Sequence, residues 1–384
     1  MSHIKEMLQG LSRNRENTIN ELQQIKKNGT MVVGAYCLFA PYELITAAGA
    51  LPVSLCGTSE EPIAHAEKHL PRNICPLIKS SYGYAITGTC PYFYYSDLII
   101  GETTCDGKKK MFELLEKITP VHVMRLPQSN NRPEDFEIMK TEIILLKKRL
   151  EKDLGVVITD ASLKKAIRDR NIERKLCREF YGLSKLDPPP LSGSEIQSVL
   201  HGAGYAFDKD DQNKKLRTLI DAVKKAYSNG KISTPANRPR ILITGCPVGG
   251  STEKIIQLVE ESGGTIVCFE NCGGAKDREN LVDETMDPID ALTHKYINLA
   301  CSCMSPNDNR LKLLSRLMDD YAVDGVIDVV LVACHTYNVE TFHIKELVQK
   351  KKNKSYLTIE TDYSNADDGQ LRTRISAFIE MLQE

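Results

Sequence analysis

Residues 96–117, SDLIIGETTCDGKKKMFELLEK, carry the reading on which the fold turns. Leu98, Ile99 and Ile100 form a short apolar run, a small turn follows, and an amphipathic helix begins whose apolar positions include Met111, Phe112, Leu114 and Leu115. Cys105 falls where strand gives way to helix. A thiol there faces unpaired N–H groups and the positive end of the helix dipole, a setting suited to thiolate chemistry and soft metals. Alone, such a cysteine reads as a small buried hydrophobe. Its meaning depends on the other cysteines.

Toward the amino terminus the same strand–helix alternation repeats. TMVVGAYC is a strand ending at Cys37, PYELITAAGA a helix opened by Pro41, and LPVSLC a strand ending at Cys56. Cys75 stands just before Pro76 at the first turn of another helix, Cys90 lies on a loop, and PVHVMRLP is a further strand. Alternation of this kind specifies a parallel sheet covered by helices. Residues 132–236 differ: their segments have helical periodicity with charged faces, interrupted by LDPPPLSGS. Alternation then resumes with the strands ILITG, TIVCFEN, VIDVVLVAC and SYLTIET, and GQLRTRISAFIEMLQE closes the chain as a helix. The expected fold class is α/β, with two parallel-sheet domains of Rossmann or flavodoxin-like type, at residues 1–131 and 237–384, joined by a helical segment at 132–236.

A chain of 384 residues can hold two or three cores. The formal net charge of −1 offers nothing to nucleic acid or to an anionic membrane. No run of eighteen or more apolar residues is present, and the charged first residues, MSHIKEMLQGLSRNRENTINELQQIKK, lack a signal peptide's apolar core. The expected location is the cytoplasm, where thiols stay reduced. Twelve cysteines are then unusual, and they point to metal, redox chemistry or ordinary burial.

Ligands of open parallel sheets gather outside the carboxyl ends of the strands. Cys37, Cys56, Cys105, Cys246, Cys272 and Cys334 all lie at or just past such ends, and Cys301 and Cys303 form a CxC pair ahead of a helix. Cys268 lies within TIVCF and Cys177 within a helix, so both read as structural. No ferredoxin-like CxxCxxC run and no paired CxxC knuckle occurs, so a metal would be assembled from single thiolates far apart in sequence. Zinc stays open for any four of them, while many thiolate donors favour iron–sulfur chemistry.

GCPVGGSTEK is a glycine-rich turn between strand and helix, of the sort that can cradle phosphate. It departs from the phosphate-loop pattern, because Gly250 is followed by Ser251 and Lys254 comes too late. ATP hydrolysis, if the chemistry needs it, falls to a partner. Neither GxSxG nor HExxH occurs, and of the eight histidines only His335 adjoins a candidate ligand. Tyr42, Glu43 and His335 are near proposed ligands in sequence, which assigns them no proton-transfer role, and no catalytic residue is named.

CLFAPYELITAAGALPV, NICPLIKSS, LIIGETTCDGKKKMFELL, DGVIDVVLVACHTYNVE and IETDYSNADDGQLRTRISAFIE together resemble the 2-hydroxyacyl-CoA dehydratase component family. The likeness runs through nearly the whole chain and is weakest in the helical middle. Within the family it is greatest to single-subunit double-cubane cluster proteins and to bacterial members described only as dehydratase subunits. The resemblance implies one 4Fe-4S cubane on Cys75, Cys105 and Cys334, and a second on Cys37, Cys272 and Cys301, with Cys303 and Cys246 as reserves. A bridging sulfide would join them into an oxygen-sensitive 8Fe-9S cluster in the cleft between the domains. It further implies a homodimer that receives low-potential electrons from a separate ATP-hydrolysing activator with its own 4Fe-4S cluster. The leading expectation is therefore a reductase of a small molecule. The alternatives are a dehydratase subunit with one 4Fe-4S cluster, acting on a 2-hydroxyacyl-CoA beside a different subunit, and a non-catalytic cluster carrier.

Overall fold

The computed structural model describes residues 2–12, 14–231, 234–247 and 249–383. The chain forms two compact units, each assembled from separated stretches. One, the N-sheet unit, comprises Glu16–Arg174 and Asn280–Asn309; the other, the C-sheet unit, comprises Met1–Arg15, Lys175–Glu279 and Arg310–Glu384.

In the N-sheet unit four strands, β1 (Val32–Ala35), β2 (Leu51–Ser54), β3 (Leu98–Glu102) and β4 (Val121–Met124), pair in the order β2-β1-β3-β4. Every pairing is parallel. The central strands β1 and β3 are buried along their whole length, as strands covered on both faces must be, and their Val and Ile content suits that position. Ala35 lies level with both Ser54 and Ile100, so β1, β2 and β3 bring their carboxyl ends to one edge of the sheet. The helix Pro133–Leu154 contributes Met139, Ile143, Leu146 and Leu150, spaced by three and four residues, to the core of this unit. The helix Pro288–Ile297 packs against it and adds Ala291, Leu292 and Tyr296 to the same core.

The C-sheet unit repeats the style. Its strands β5 (Arg240–Gly245), β6 (Thr265–Phe269), β7 (Gly325–Leu331) and β8 (Ser355–Thr361) pair in parallel in the order β6-β5-β7-β8. The α/β class with two parallel sheets, read from the alternation, is the architecture found. β5, β6 and β7 are wholly buried, whereas β8 at one edge is only partly covered. Among the described residues no helix is long and apolar enough to cross a membrane.

Close packing of β3 against its following helix, Asp106–Leu115, depends on Gly101. A Cβ built there would stand 2.7 Å from three atoms of the Phe112 ring, well inside contact distance. The ring can lie on the strand only because that carbon is missing. Gly101→Ala is expected to destabilise the protein by about 1–3 kcal/mol, the usual cost of overpacking a tight core. A urea midpoint that does not move would contradict this contact.

Candidate metal centre

Three of the cysteines singled out from the sequence stand immediately before helices of eight residues or more. Cys105 precedes Asp106–Leu115, Cys75 precedes Pro76–Thr87 with Pro76 in the first turn, and Cys334 precedes His335–Lys345. For Cys105 and Cys334 the reason is local. β3 and β7 end, the chain turns, and the next helix starts at the same edge of the sheet. Cys105 is extended (φ −160°, ψ 165°), and its Sγ accepts from the Lys108 backbone N–H at 3.4 Å. The thiol therefore occupies the place that a serine or aspartate oxygen usually fills. Cys75 is buried, and Cys105 and Cys334 are half-buried.

Within the N-sheet unit a second group forms. Cys37, just past β1, and the distant pair Cys301 and Cys303 are half-buried and pack on the same hydrophobic core. The Cys303 thiol is pushed up in pKa by its hydrogen bond with Cys301, then by burial, and further by Cys301 and Cys37. Lys108 and Glu102 enter this neighbourhood from β3 and the helix after it. Lys108 is 7% exposed, and its Nζ donates to the Tyr36 carbonyl oxygen at 3.3 Å. Burial alone would lower its pKa, but the charges of Cys37, Glu102, Cys56 and Cys105 outweigh burial and hold it above the usual lysine value. Glu102 is fully buried and neither carboxylate oxygen has a well-formed hydrogen bond. Burial pushes its pKa up to about 7, against the pull of Lys108 and the weaker pull of the Cys37 backbone N–H. Cys56 donates its thiol to the same Tyr36 carbonyl at 3.0 Å.

In the C-sheet unit Cys246, Cys272 and Cys334 follow β5, β6 and β7. Cys246 is 1% exposed and its Sγ accepts from the Leu331 N–H at 3.4 Å. A buried polar network links the chain around Cys272 to the helix begun by Cys334. Glu270 accepts from the Thr244 hydroxyl at 2.7 Å, and Lys276 and Arg310 each approach its carboxylate to 3.4 Å. Lys276 donates to the Tyr337 hydroxyl at 2.8 Å, while the Arg310 guanidinium lies 4.9 Å from the Tyr337 ring centroid and also pairs with Glu340. Two buried cations thus join the end of β6 to the first turn after Cys334. They fix where both cysteines start.

Other candidates fall away. Cys268 is 2% exposed inside β6 and burial raises its thiol pKa well above normal; Cys177 is equally buried within a helix. Cys90 precedes a one-turn helix, Pro91–Tyr94. Lys254, after the glycine-rich turn, is tied to Asp367 at 2.5 Å and to the Ser364 carbonyl at 2.5 Å, which leaves it engaged away from any phosphate; Val248 of that turn lies outside the described residues. Glu43 is held by Arg174 at 2.7 Å and by the Tyr296 hydroxyl at 2.7 Å, and that pairing lowers its pKa although burial, the largest effect, opposes the shift. His335 is exposed at the start of its helix. Among the described residues no three His, Cys, Asp or Glu side chains converge as tightly as a single metal ion requires.

Lys108 and Glu102 are the residues that the sequence conceals. In DGKKKM three adjacent lysines look like one solvated face, yet Lys108 shares the inward side with Met111, Phe112 and Leu115, three, four and seven residues on. That spacing is the signal the sequence offers. The buried network of Glu270, Lys276 and Arg310 has none, because its members come from separate elements.

Comparison with known proteins supplies the remaining observation. Residues 37–382 match the family described as 2-hydroxyglutaryl-CoA dehydratase, D-component. The chain is 50% identical over 368 residues to a protein of Escherichia coli (strain K12), YjiM, provisionally assigned as a dehydratase subunit, with 96% of each chain covered. It is 26% identical over 365 residues to the (R)-phenyllactyl-CoA dehydratase beta subunit of Clostridium sporogenes, covering 94% of each chain. One of the subunits of the benzoyl-CoA reductase of Thauera aromatica is 22% identical over 304 residues, which cover 77% of this chain and 76% of that one.

The raised pKa of Glu102 has a measurable consequence in the metal-free chain. The native state binds the Glu102 proton more tightly than the unfolded chain, so folding is favoured below the ordinary carboxylate value and loses stability as pH rises toward 7. A shift from 4.5 to about 7 corresponds to roughly 3 kcal/mol at most. Glu102→Gln should flatten that decline. Denaturant midpoints between pH 4.5 and 8 that fall equally in both proteins would refute it.

Proposed function

Because the chain belongs to the 2-hydroxyglutaryl-CoA dehydratase D-component family, we propose that it is an iron–sulfur component which reduces a small molecule with low-potential electrons received from an ATP-hydrolysing activator. The observation that carries this reading is the placing of thiols. Half-buried cysteines stand at the carboxyl ends of strands in both units, with a buried ammonium among those of the N-sheet unit. The donor set is sulfur throughout, which suits thiophilic iron rather than an oxygen-seeking cation. Cubane ligands also stand farther apart than those of a lone ion, since the inorganic core fills the space between them.

In this reading the N-sheet unit contributes Cys75 and Cys105 to one cubane and Cys37 and Cys301 to another, and the C-sheet unit contributes Cys334 and Cys272. Cys303, hydrogen-bonded to Cys301, and Cys246 are the alternates. A bound double-cubane 8Fe-9S cluster would supply one-electron reduction at low potential. The chain's own residues do the rest. Cys105 Sγ accepts from the Lys108 N–H, and Cys75 and Cys334 also stand at helix starts, whose positive end stabilises negative charge. Glu270, Lys276 and Arg310 hold the segments bearing Cys272 and Cys334. The occupied Lys254 agrees with ATP being hydrolysed by a separate protein, and a homodimer in the cytoplasm belongs to the same reading.

The relatives support a second reading, a dehydratase subunit with one 4Fe-4S cluster that removes water from a 2-hydroxyacyl-CoA beside a different subunit. The Clostridium relative, a dehydratase beta subunit, favours it; the Thauera relative, part of a reductase, favours the first.

Anaerobic iron and sulfide analysis, with the electron paramagnetic resonance spectrum of the reduced protein, separates them: about eight irons per chain for the double cubane and about four for one cubane. Cys105→Ala and Cys334→Ala should each lower iron and bleach the brown colour. Cys37→Ala and Cys272→Ala should leave a one-cubane remnant, and Cys177→Ala should leave iron unchanged. Full iron in both Cys105→Ala and Cys334→Ala would remove the first assignment.

A further inference from the structure

The three lysines of the helix Asp106–Leu115 have different surroundings. Lys109 pairs with Asp106 at 2.8 Å and Lys110 with Glu113 at 2.7 Å, both on the surface. Lys108 points inward. An ammonium withdrawn from water costs several kcal/mol unless opposite charge compensates it. Its hydrogen-bond acceptor, the Tyr36 carbonyl, is neutral, and so is the Phe112 ring, whose centroid lies 6.0 Å from Nζ. Among the described residues no carboxylate comes within ion-pair distance of it. Glu102, the buried acid whose charge acts on Lys108, has no well-formed hydrogen bond at either oxygen. Sulfur stands beside Lys108 instead: Cys56 Sγ shares the Tyr36 carbonyl oxygen at 3.0 Å, and Cys105 Sγ accepts from the backbone N–H of Lys108 itself at 3.4 Å. Cys56 donates its S–H and supplies no charge, so the balance falls to the proposed ligands Cys37 and Cys105, since a thiol that holds a metal does so as thiolate.

We propose that Lys108 is the counter-charge of the cluster ligands in this unit, a positioning residue that makes a bound iron–sulfur group easier to reduce; the proposal rests on the iron–sulfur reading above. The direction follows from charge. Each electron added to a thiolate-ligated cluster increases its negative charge, and a fixed cation in low dielectric offsets that increase more than one in water does. Lys108 acts on the ligands and not on substrate. Its effect passes through the cluster.

The test compares wild type, Lys108→Met and Lys108→Arg after anaerobic reconstitution with iron and sulfide, reading iron per chain and the midpoint potential by electron paramagnetic resonance titration. Lys108→Met should be harder to reduce by at least tenfold in the reduced-to-oxidised ratio, about 59 mV more negative for one electron. Lys108→Arg, which keeps the charge, should return toward wild type. Loss of iron in Lys108→Met that Lys108→Arg restores supports the same role. Wild-type iron and an unchanged potential in Lys108→Met would overturn it, as would equal losses in both variants. If Lys108→Met does not fold, Lys108→Gln takes its place in the comparison. A wild-type chain that takes up no iron and sulfide overturns the iron–sulfur reading itself, an outcome distinct from a loaded wild type with an indifferent Lys108.

Discussion

Parallel strands impose one constraint from which the rest follows: each must finish at the same edge of its sheet. A chain that leaves a parallel strand turns there and starts its next helix there, so carboxyl ends of strands and amino ends of helices collect together. Residues of distant sequence thereby share one edge. Cys37 and Cys105 reach it in the N-sheet unit, and Cys272 and Cys334 in the C-sheet unit. A cysteine at such a junction also meets backbone N–H groups that have no helical partner, as the Lys108 N–H and Cys105 Sγ show.

Charge is the second constraint. The N-sheet unit buries the Lys108 ammonium and the Glu102 carboxyl group, which act on each other's charge without forming an ion pair, and Cys105 and Cys56 bring sulfur to the same neighbourhood. In an ordinary core that arrangement would be resolved by a direct ion pair, as it is where Arg174 meets Glu43 in the same unit. The contrast matters because both pairs are removed from water. One is closed on itself and structural; the other stays open and faces sulfur. The C-sheet unit solves a different problem, with Arg310 and Lys276 engaged by Glu270, Glu340 and Tyr337 to brace the segments that carry its cysteines.

Family membership and these two constraints speak to different levels. The match over residues 37–382 places the chain among dehydratase and reductase components, whose names alone do not separate water removal from reduction. The side chains bear on that choice through the number of thiols available. Seven of the twelve cysteines belong to the N-sheet unit, more than a single cubane can use, although Cys56 and Cys90 show that a nearby thiol need not be a ligand.

Periodicity determined the architecture, because a two-sided sheet requires continuous apolar strands and an amphipathic helix requires spacings of three and four; both patterns are local, and Leu98–Glu102 followed by Asp106–Leu115 displays them in one short stretch. The same patterns located the cysteines at strand ends, and the motifs shared with a known family gave them a candidate purpose. Burial and pairing were decided only by the folded chain. Lys108 looks solvated in a run of three lysines, and neither Glu43 beside Tyr42 nor Lys254 after a glycine-rich turn shows its partner in the local sequence, yet each has its environment set by residues far away in sequence. Such environments depend on which elements become neighbours, and no window of sequence records that.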